Sequence, residues 1–372
     1  MKSTRVIMTV INDLVGDQRV RRMAQSLTEN GCDVLVVGRK LPDSLPLAPR
    51  PFRMKRMRLW FQKGKLFYLE MNLRLFLLGL FAPVDVFHAN DLDTLLPCFL
   101  LSRLRRKALV YDSHEYFTEV PELIHRKRTR AVWLWLEKIL FPRLRYVFTV
   151  NQALAELYTQ KYQVPVKALR NLPYRRLLAD DRTPSQAFTL IYQGALNVGR
   201  GIELMIDTMA FLPDMQLWIV GKGDVEADLR KRVKEKQLTE RVQFLGFVPM
   251  DQLPDYTTQA SLGLSLEEDL GENYRLASPN KVYDYVQDGV PVLVSDLPMM
   301  ADFVEGGECG WVVRKEDRRP EKLAALILRI ADPQSGIYQI RRLNCLALAK
   351  HLNWENEQQI LLESYRELSE RH

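Results

Sequence analysis

The sequence predicts an α/β protein of two doubly wound parallel-sheet domains facing each other across a cleft. Three observations carry this expectation. Short runs rich in Val, Ile and Leu alternate with longer amphipathic stretches, which is the β-α-β rhythm. The runs lack polar alternation, as in Val34-Leu35-Val36-Val37, so each strand is covered on both faces. The rhythm also stops near residue 172 and restarts near 188, in a chain whose 372 residues exceed one ordinary core.

In the first half the strands fall at 6–11, 33–37, 84–88, 108–112 and 146–150, with a helix at 17–30 joining the first two. Residues 172–187 carry Pro173, Pro184, the Arg175-Arg176 pair and Asp180-Asp181 without apolar periodicity, which reads as a connection. The chain therefore divides into a domain at 1–171, a linker at 172–187, a second domain at 188–351 and a terminal helix at 352–372. In the second domain, strands at 189–192, 216–220, 242–245, 261–265, 290–294 and 311–313 alternate with helices near Ile202, Val225, Asp251, Asn280, Met299 and Glu321. Helical patterns at 335–351 and 353–369 close the chain.

A composition of 47% hydrophobic and 27% charged residues excludes collagen-like and wholly disordered classes. Charge is uneven: residues 1–171 hold 29 Lys and Arg against 15 Asp and Glu, and the remainder 24 against 31. A basic first half expects an anionic partner, whether phospholipid, phosphorylated substrate or nucleic acid. No nucleic-acid module is recognisable, and nucleic acid is not the expected partner. Cys32, Cys98, Cys309 and Cys345 lie far apart with no CxxC pair, so neither a zinc site nor a disulfide framework is expected, and no metal. The most lipid-like run, 75–84, is broken by Gly79 and Pro83, where a span needs about 20 residues. The expected location is the cytoplasm, at most on the inner face of its membrane.

The most telling stretch is Ser278-Pro279-Asn280-Lys281-Val282-Tyr283-Asp284-Tyr285 running into Gly289-Val290-Pro291. Ser278 suits a helix cap and Pro279 the first helical position, so backbone N–H groups and Lys281 would seat a diphosphate. Asp284, one turn on, would receive ribose hydroxyls. Gly194 to Gly201 follows a strand and precedes a helix, supplying Asn197, flexible backbone and the Arg200 guanidinium. Gly221-Lys222-Gly223 has the same placement. In the first domain His88-Ala89-Asn90-Asp91 and Ser113-His114-Glu115 sit at strand ends. Asp91-Leu92-Asp93 matches a metal-binding DxD pattern, but Asp93 reads better as a helix cap. From Arg50 to Lys65 there are seven basic residues and no acidic one, with aromatic and Met residues between. That segment is either a membrane-surface patch or a basic loop ahead of a buried helix carrying a Glu70 and Arg74 pair.

Together these blocks resemble the family-4 retaining glycosyltransferases of the GT-B fold, two Rossmann-like domains, particularly those of bacterial cell-surface polysaccharide pathways. The resemblance also rests on Asp17-x-Arg19-Val20 and Arg170-Asn171. It implies a nucleoside-diphosphate sugar as donor, a glycan or lipid-linked acceptor hydroxyl, and no cofactor or metal. His114, His88, Arg200 and Lys281 would be catalytic. Gly16, Gly194, Asn197, Gly221, Lys222, Phe247, Val248, Glu272, Ser278, Pro279, Asn280 and Asp284 would join Arg200 and Lys281 around the donor, and Asn90, Asp91 and Glu115 would hold the acceptor. Three departures stand out: Ala195 replaces an expected Arg, Asn90 an expected second His, and Leu276 the first of two glutamates, for which Glu272 or Glu268 would substitute. A nucleotide-sugar epimerase on the same fold and a basic, non-catalytic protein associated with membrane or nucleic acid are the rival readings.

Overall fold

The computed structural model describes residues 3–120, 123, 126–176 and 187–370. Packing divides the chain into two units, Met1–Asn171 with Glu357–His372, and Leu172–Asn356. Most of the expected linker lies outside the described residues.

In the first unit β1 (Arg5–Thr9) leads through α1 (Gln18–Glu29) to β2 (Asp33–Lys40). Asp17 caps α1 by accepting the Val20 N–H at 3.0 Å, and the helix buries Val20, Met23, Ala24 and Leu27 on one stripe. Then come β3 (Arg53–Arg58), α2 (Gly64–Phe81), β4 (Val86–Asn90), α3 (Leu92–Arg105), β5 (Ala108–Ser113), α4 (Lys127–Leu140), β6 (Tyr146–Thr149), α5 (Gln152–Tyr162) and β7 (Val166–Ala168). The seven strands are parallel in the order β3-β2-β1-β4-β5-β6-β7. The direction of winding thus reverses between β1 and β4, where such sheets bind ligands at their carboxyl ends.

β3 corrects the expectation of a basic loop. Phe52, Met57 and Leu59 turn inward while Arg53 pairs with Asp33 at 2.8 Å and Arg56 donates to the Leu45 carbonyl. Cations on an exposed edge strand deter further strand pairing, which is a structural use for them.

In the second unit β8 (Thr189–Gln193), α6 (Ile202–Thr208), β9 (Gln216–Val220), α7 (Glu226–Glu235), β10 (Val242–Gly246), α8 (Leu253–Thr257), β11 (Leu262–Ser265), α9 (Glu272–Arg275), α10 (Asn280–Gln287), β12 (Val292–Ser295), α11 (Pro298–Gly306), β13 (Gly310–Val313) and α12 (Pro320–Ala331) repeat the alternation. Its six strands are parallel in the order β10-β9-β8-β11-β12-β13, reversing between β8 and β11. Leucine- and methionine-rich packing on one face and Val, Tyr285 and Cys309 on the other cover both sides of the sheet.

After α13 (Ile337–Ala349), α14 (Trp354–Glu370) joins the first unit from Glu357 onward. Glu357 is buried and takes the Arg170 backbone N–H at 2.7 Å and its guanidinium at 2.6 Å. Tyr365 meets His88 Nδ1 at 2.8 Å with the rings stacked. His88 is fully buried, and burial lowers its pKa to about 4. This overturns its expected catalytic role: a neutral imidazole sealed beneath α14 reaches no substrate.

A histidine kept neutral in the fold but free to charge when unfolded costs stability on acidification. Folding should weaken as pH falls from about 6.5 toward 4, by on the order of 3 kcal/mol for this group. Urea denaturation across that window should show a steeper loss in wild type than in His88→Gln; equal slopes would refute the assignment.

Candidate functional site

The second sheet places one polar network at its switch point. Its centre is Glu267, two residues beyond β11 and 2% exposed. Lys281 in the first turn of α10 donates to Glu267 Oε1 at 2.5 Å, and Ser265 Oγ donates to Oε2 at 2.7 Å. Arg200 Nη1 stands 3.8 Å from Oε1. Burial alone would raise the Glu267 pKa, but Lys281, Ser265 and Arg200 together hold it below its ordinary value. The Glu267 carbonyl is fixed in turn by Ser295 Oγ at 2.6 Å and Arg318 Nη1 at 3.1 Å.

Lys281 is therefore not the open cation expected from the sequence. It is 8% exposed, its ammonium lies 4.4 Å from the Tyr192 ring centroid, and its charge is balanced by Glu267. Arg200 is the accessible cation: its side chain is 32% exposed, packs 5.5 Å from the Tyr274 ring centroid and leaves a buried Nε without a partner. Around the Glu267 side chain itself, two cations meet one carboxylate.

That loop is held where only glycine fits. Gly201 has φ +71°, and a Cβ there would lie 1.9 Å from the Leu266 carbonyl oxygen; at Gly221, with φ +138°, it would lie 1.8 Å from that of Gly194. The loops after β8, β9 and β11 thus touch backbone to backbone, joined by Leu196 N–H to the Lys222 carbonyl at 3.0 Å and Glu268 N–H to that of Gly199 at 2.8 Å. Asn197 lies on this loop, half-buried; the Lys222 side chain is exposed. Phe247 is exposed and Val248 buried just past β10, whose Gly246 carbonyl accepts the Gly221 N–H.

Several expectations fail here. Glu272 does not replace the missing glutamate: it is exposed and pairs with Arg275 at 3.1 Å, while Glu268 points outward. Glu267 supplies the buried carboxylate, and its one sequence signal was the acidic run directly after a strand. Helix α10 starts at Asn280, exposed, with half-buried Pro279 in the cap position and no side-chain cap bond, so Ser278 is not the cap. Asp284 is 8% exposed and faces Gln193 Nε2 at 3.5 Å and Arg176 at 3.8 Å, on the sheet side of α10. Gly16 belongs to the first unit, exposed in the loop after β1.

The first unit carries a second network at the ends of β4 and β5. Arg19 clamps Asp112 through Nε and Nη2 at 2.7 and 2.5 Å, and Asp112 receives His114 Nε2 at 2.9 Å. His114 Nδ1 lies 3.4 Å from Asp91, whose other oxygen accepts the His114 backbone N–H at 2.8 Å. Burial works against a charged ring, but Asp91 and Asp112 outweigh it and raise the His114 pKa to about 10. His114, 18% exposed, is a clamped imidazolium and no proton shuttle. Asn90 is wholly buried and donates to the Thr9 carbonyl at 3.0 Å, so it does not reach an acceptor; Asp91 and Glu115 remain partly exposed. Asp91 holds the cap position of α3 at φ +62°, with its carboxylate turned to His114, while Asp93 lies buried inside the first turn and is no cap. Among the described residues no three His, Cys, Asp or Glu side chains cluster as a metal site.

Comparison with known proteins gives two family matches, "Glycosyltransferase Family 4" over residues 17–171 and "Glycosyl transferases group 1" over 187–332. Amylovoran biosynthesis glycosyltransferase AmsK of Erwinia amylovora is 23% identical over 189 residues, 50% of this chain and 44% of that protein. Alpha-D-kanosaminyltransferase of Streptomyces kanamyceticus is 23% identical over 263 residues, 63% of this chain and 64% of its own. The alignments thus span about half to under two-thirds of these relatives. Among solved structures, sucrose-phosphate synthase of Thermosynechococcus elongatus has a TM-score of 0.74 at 20% identity, covering 99% of this chain and 100% of its own. Anabaena Alr3699/HepE, in complex with UDP and glucose, has 0.74 at 16% identity, covering 98% and 99%.

Breaking the Lys281–Glu267 pair from one side leaves a buried charge, so Lys281→Met should cost about 3–5 kcal/mol, and Glu267→Leu added to it should recover most of that. Because the Glu267 pKa is depressed, its contribution is present above about pH 4.5 and lost as pH falls through the folded value. Chemical denaturation of the single and double variants at pH 7 and pH 4 checks both; additive losses would refute the pairing. For His114 the sign is opposite: its contribution is complete below about pH 6.5 and lost as pH rises through about 10. An NMR titration should find its ring doubly protonated at pH 8, and a midpoint near 7 would refute the clamp.

Proposed function

This chain belongs to the glycosyltransferases, with a family 4 first unit and a group 1 second unit, and from that premise we propose a retaining transfer of sugar from a nucleoside diphosphate to an acceptor hydroxyl in cell-surface glycan synthesis. The observation that carries this reading is the accessible Arg200 guanidinium at the switch point of the second sheet, on a glycine-held loop. A diphosphate matches that seat in charge and in its need for close backbone approach. HepE, similar in fold, has been solved with UDP-glucose, which supports the same donor class here.

In the step proposed, the bond from the sugar's anomeric carbon to phosphate breaks, the acceptor oxygen bonds that carbon on the same face, and the acceptor proton passes to the departing phosphate. Charge builds on the diphosphate, and Arg200 meets it with a preorganised donor; losing such a donor costs about 3–4 kcal/mol elsewhere. Lys281 contributes through Glu267, which orients both cations, so the site does the work of a divalent ion without one. In the first unit the fixed imidazolium of His114 offers positive charge to sugar or acceptor oxygens, and Asp91 and Glu115 offer acceptors for hydroxyl hydrogens. The acceptor class is a glycan or lipid-linked sugar, reached from the cytoplasmic side.

Thermal-shift titrations with UDP, GDP, ADP and CMP sugars test the donor seat. One class should raise the melting temperature of wild type, and Arg200→Gln should weaken that binding tenfold or more, as expected for a charged hydrogen bond of about 1.5–3 kcal/mol. No response to any donor, or equal binding by both proteins, would count against the site. Release of an epimerised nucleotide sugar without acceptor would favour an epimerase.

A further inference from the structure

The carboxyl end of the first sheet holds a polar cluster that neither the His114 network nor the donor seat uses. Arg39 lies at the end of β2, Tyr68 near the start of α2 and Asp93 in the first turn of α3. Arg39 Nη1 donates to the Gln62 carbonyl at 3.1 Å, and its guanidinium lies over the Phe67 ring, 4.4 Å from the centroid. Asn72 Nδ2 ties the two helices together here, donating to the Tyr68 carbonyl at 2.8 Å and to that of Asp93 at 3.0 Å. Arg39, Tyr68 and Asp93 thus gather beside the switch point between β1 and β4, close enough that each feels the others' charge. The Trp133 ring of α4, edge-on to Tyr68 with centroids 5.2 Å apart, adds a second half-buried aromatic wall.

The bonding of this cluster is unfinished. Among the described residues the Arg39 side chain makes that one hydrogen bond, its Nε is buried without a partner, and no carboxylate stands within 4.0 Å. Gln62 Oε1 and Asp93 Oδ1 are likewise buried and unpartnered. Partial burial of a guanidinium without an ion pair is costly, and it lowers the Arg39 pKa. Two acids act on Arg39 from further off. Asp13 already accepts the Val15 N–H at 3.1 Å and Ser44 Oγ at 3.0 Å. Asp93, 4% exposed, is pushed well above the ordinary carboxylate range by burial and then by Asp91 and Glu115, against the pull of His114 and Arg39. It is an O–H donor rather than an anion. Burial also raises the Tyr68 pKa and keeps its phenol protonated. Guanidinium, phenol and protonated acid together offer donors.

Unspent donors beside aromatic walls complement an anionic oxygen group carried on a sugar ring. A carboxylate or phosphate matches the guanidinium fork, the C–H face of the ring suits aromatic carbon, and Gln62 Oε1 accepts a neighbouring hydroxyl. A neutral sugar would leave Arg39 without a counter-ion. We propose that this cluster selects an acceptor whose terminal sugar is acidic, with its carboxylate or phosphate seated on Arg39 between Tyr68 and Asp93. Such selection presupposes that the first unit receives the acceptor, and it needs nothing from the donor seat. Arg39 is then a specificity-determining residue that takes no part in bond breaking.

Titration of the full chain, without donor, with methyl glucuronide, glucose 6-phosphate and neutral methyl glucoside tests it by calorimetry. Wild type should bind one of the acidic sugars about tenfold more tightly than the neutral one, as expected when a charged hydrogen bond is gained. The tighter of the two identifies carboxylate or phosphate. Arg39→Gln should erase the preference and Arg200→Gln should keep it, which separates this cluster from the diphosphate seat. Asp93→Asn should hold the acidic sugar within about threefold, because a neutral amide replaces a neutral acid; a gain of about tenfold would reveal an ionised, repelling Asp93 and overturn the seat. Should Arg39→Gln not fold, wild type and Arg200→Gln decide alone. Equal affinity for all three sugars, a preference lost in Arg200→Gln, or one that persists in Arg39→Gln would overturn the proposal. Sugar transfer to the neutral glucoside alone would do the same while leaving the glycosyltransferase reading intact.

Discussion

A single buried carboxylate organises the second unit's site. Moving Glu267 out of water is costly, and the cost is offset only because Lys281, Ser265 and Arg200 arrive from three different elements to meet it. Ser295 and Arg318 then fix its backbone from β12 and the segment before α12. Remove the carboxylate and the two cations repel; remove the cations and it cannot stay buried. The positions of the loops after β8, β11 and β12 are therefore coupled through one side chain, and the glycines at 201 and 221 let those loops close to contact.

The two parallel sheets and most of their strands were legible because a buried parallel strand must be apolar on both faces, whereas the order of the strands came only with the structure. What escaped were the short edge strand β7 and β3, whose alternating Arg, Met and Lys residues look like a basic loop until its pairing with β2 is seen. The site was half legible. Glycines after a strand and a cation at a helix mouth mark a phosphate seat, but they do not say which cation is free. Glu267, Glu268 and Asp269 look alike in sequence. Only the register at the end of β11, with the Glu268 N–H committed to Gly199, sends one inward and its neighbour outward.

The two strand-end histidines show how finely position decides role. His88 lies inside β4 and its ring is covered by Tyr365 from α14, nearly 280 residues along the chain. His114 lies one residue past β5, where the chain leaves the sheet and carboxylates gather. The same side chain is pushed toward neutrality in one place and held charged in the other, with burial common to both and the neighbouring acids making the difference.

The basic excess of the first half divides in the same way. Arg19 and Arg22 are buried and spend their charge on Asp112 and Asn171, setting the geometry at the ends of β5 and β7. Lys65, Arg103, Lys127, Arg128 and Lys138 on α2, α3 and α4 face solvent, while Arg74, Arg105 and Arg130 are half-buried against partners within the fold and the acids on those helices have been drawn inside. Net charge counted along a sequence adds these two populations together, although one builds the fold and the other is left for something outside it. Exposure separates them, and it is the outward set that makes a basic half meaningful for binding.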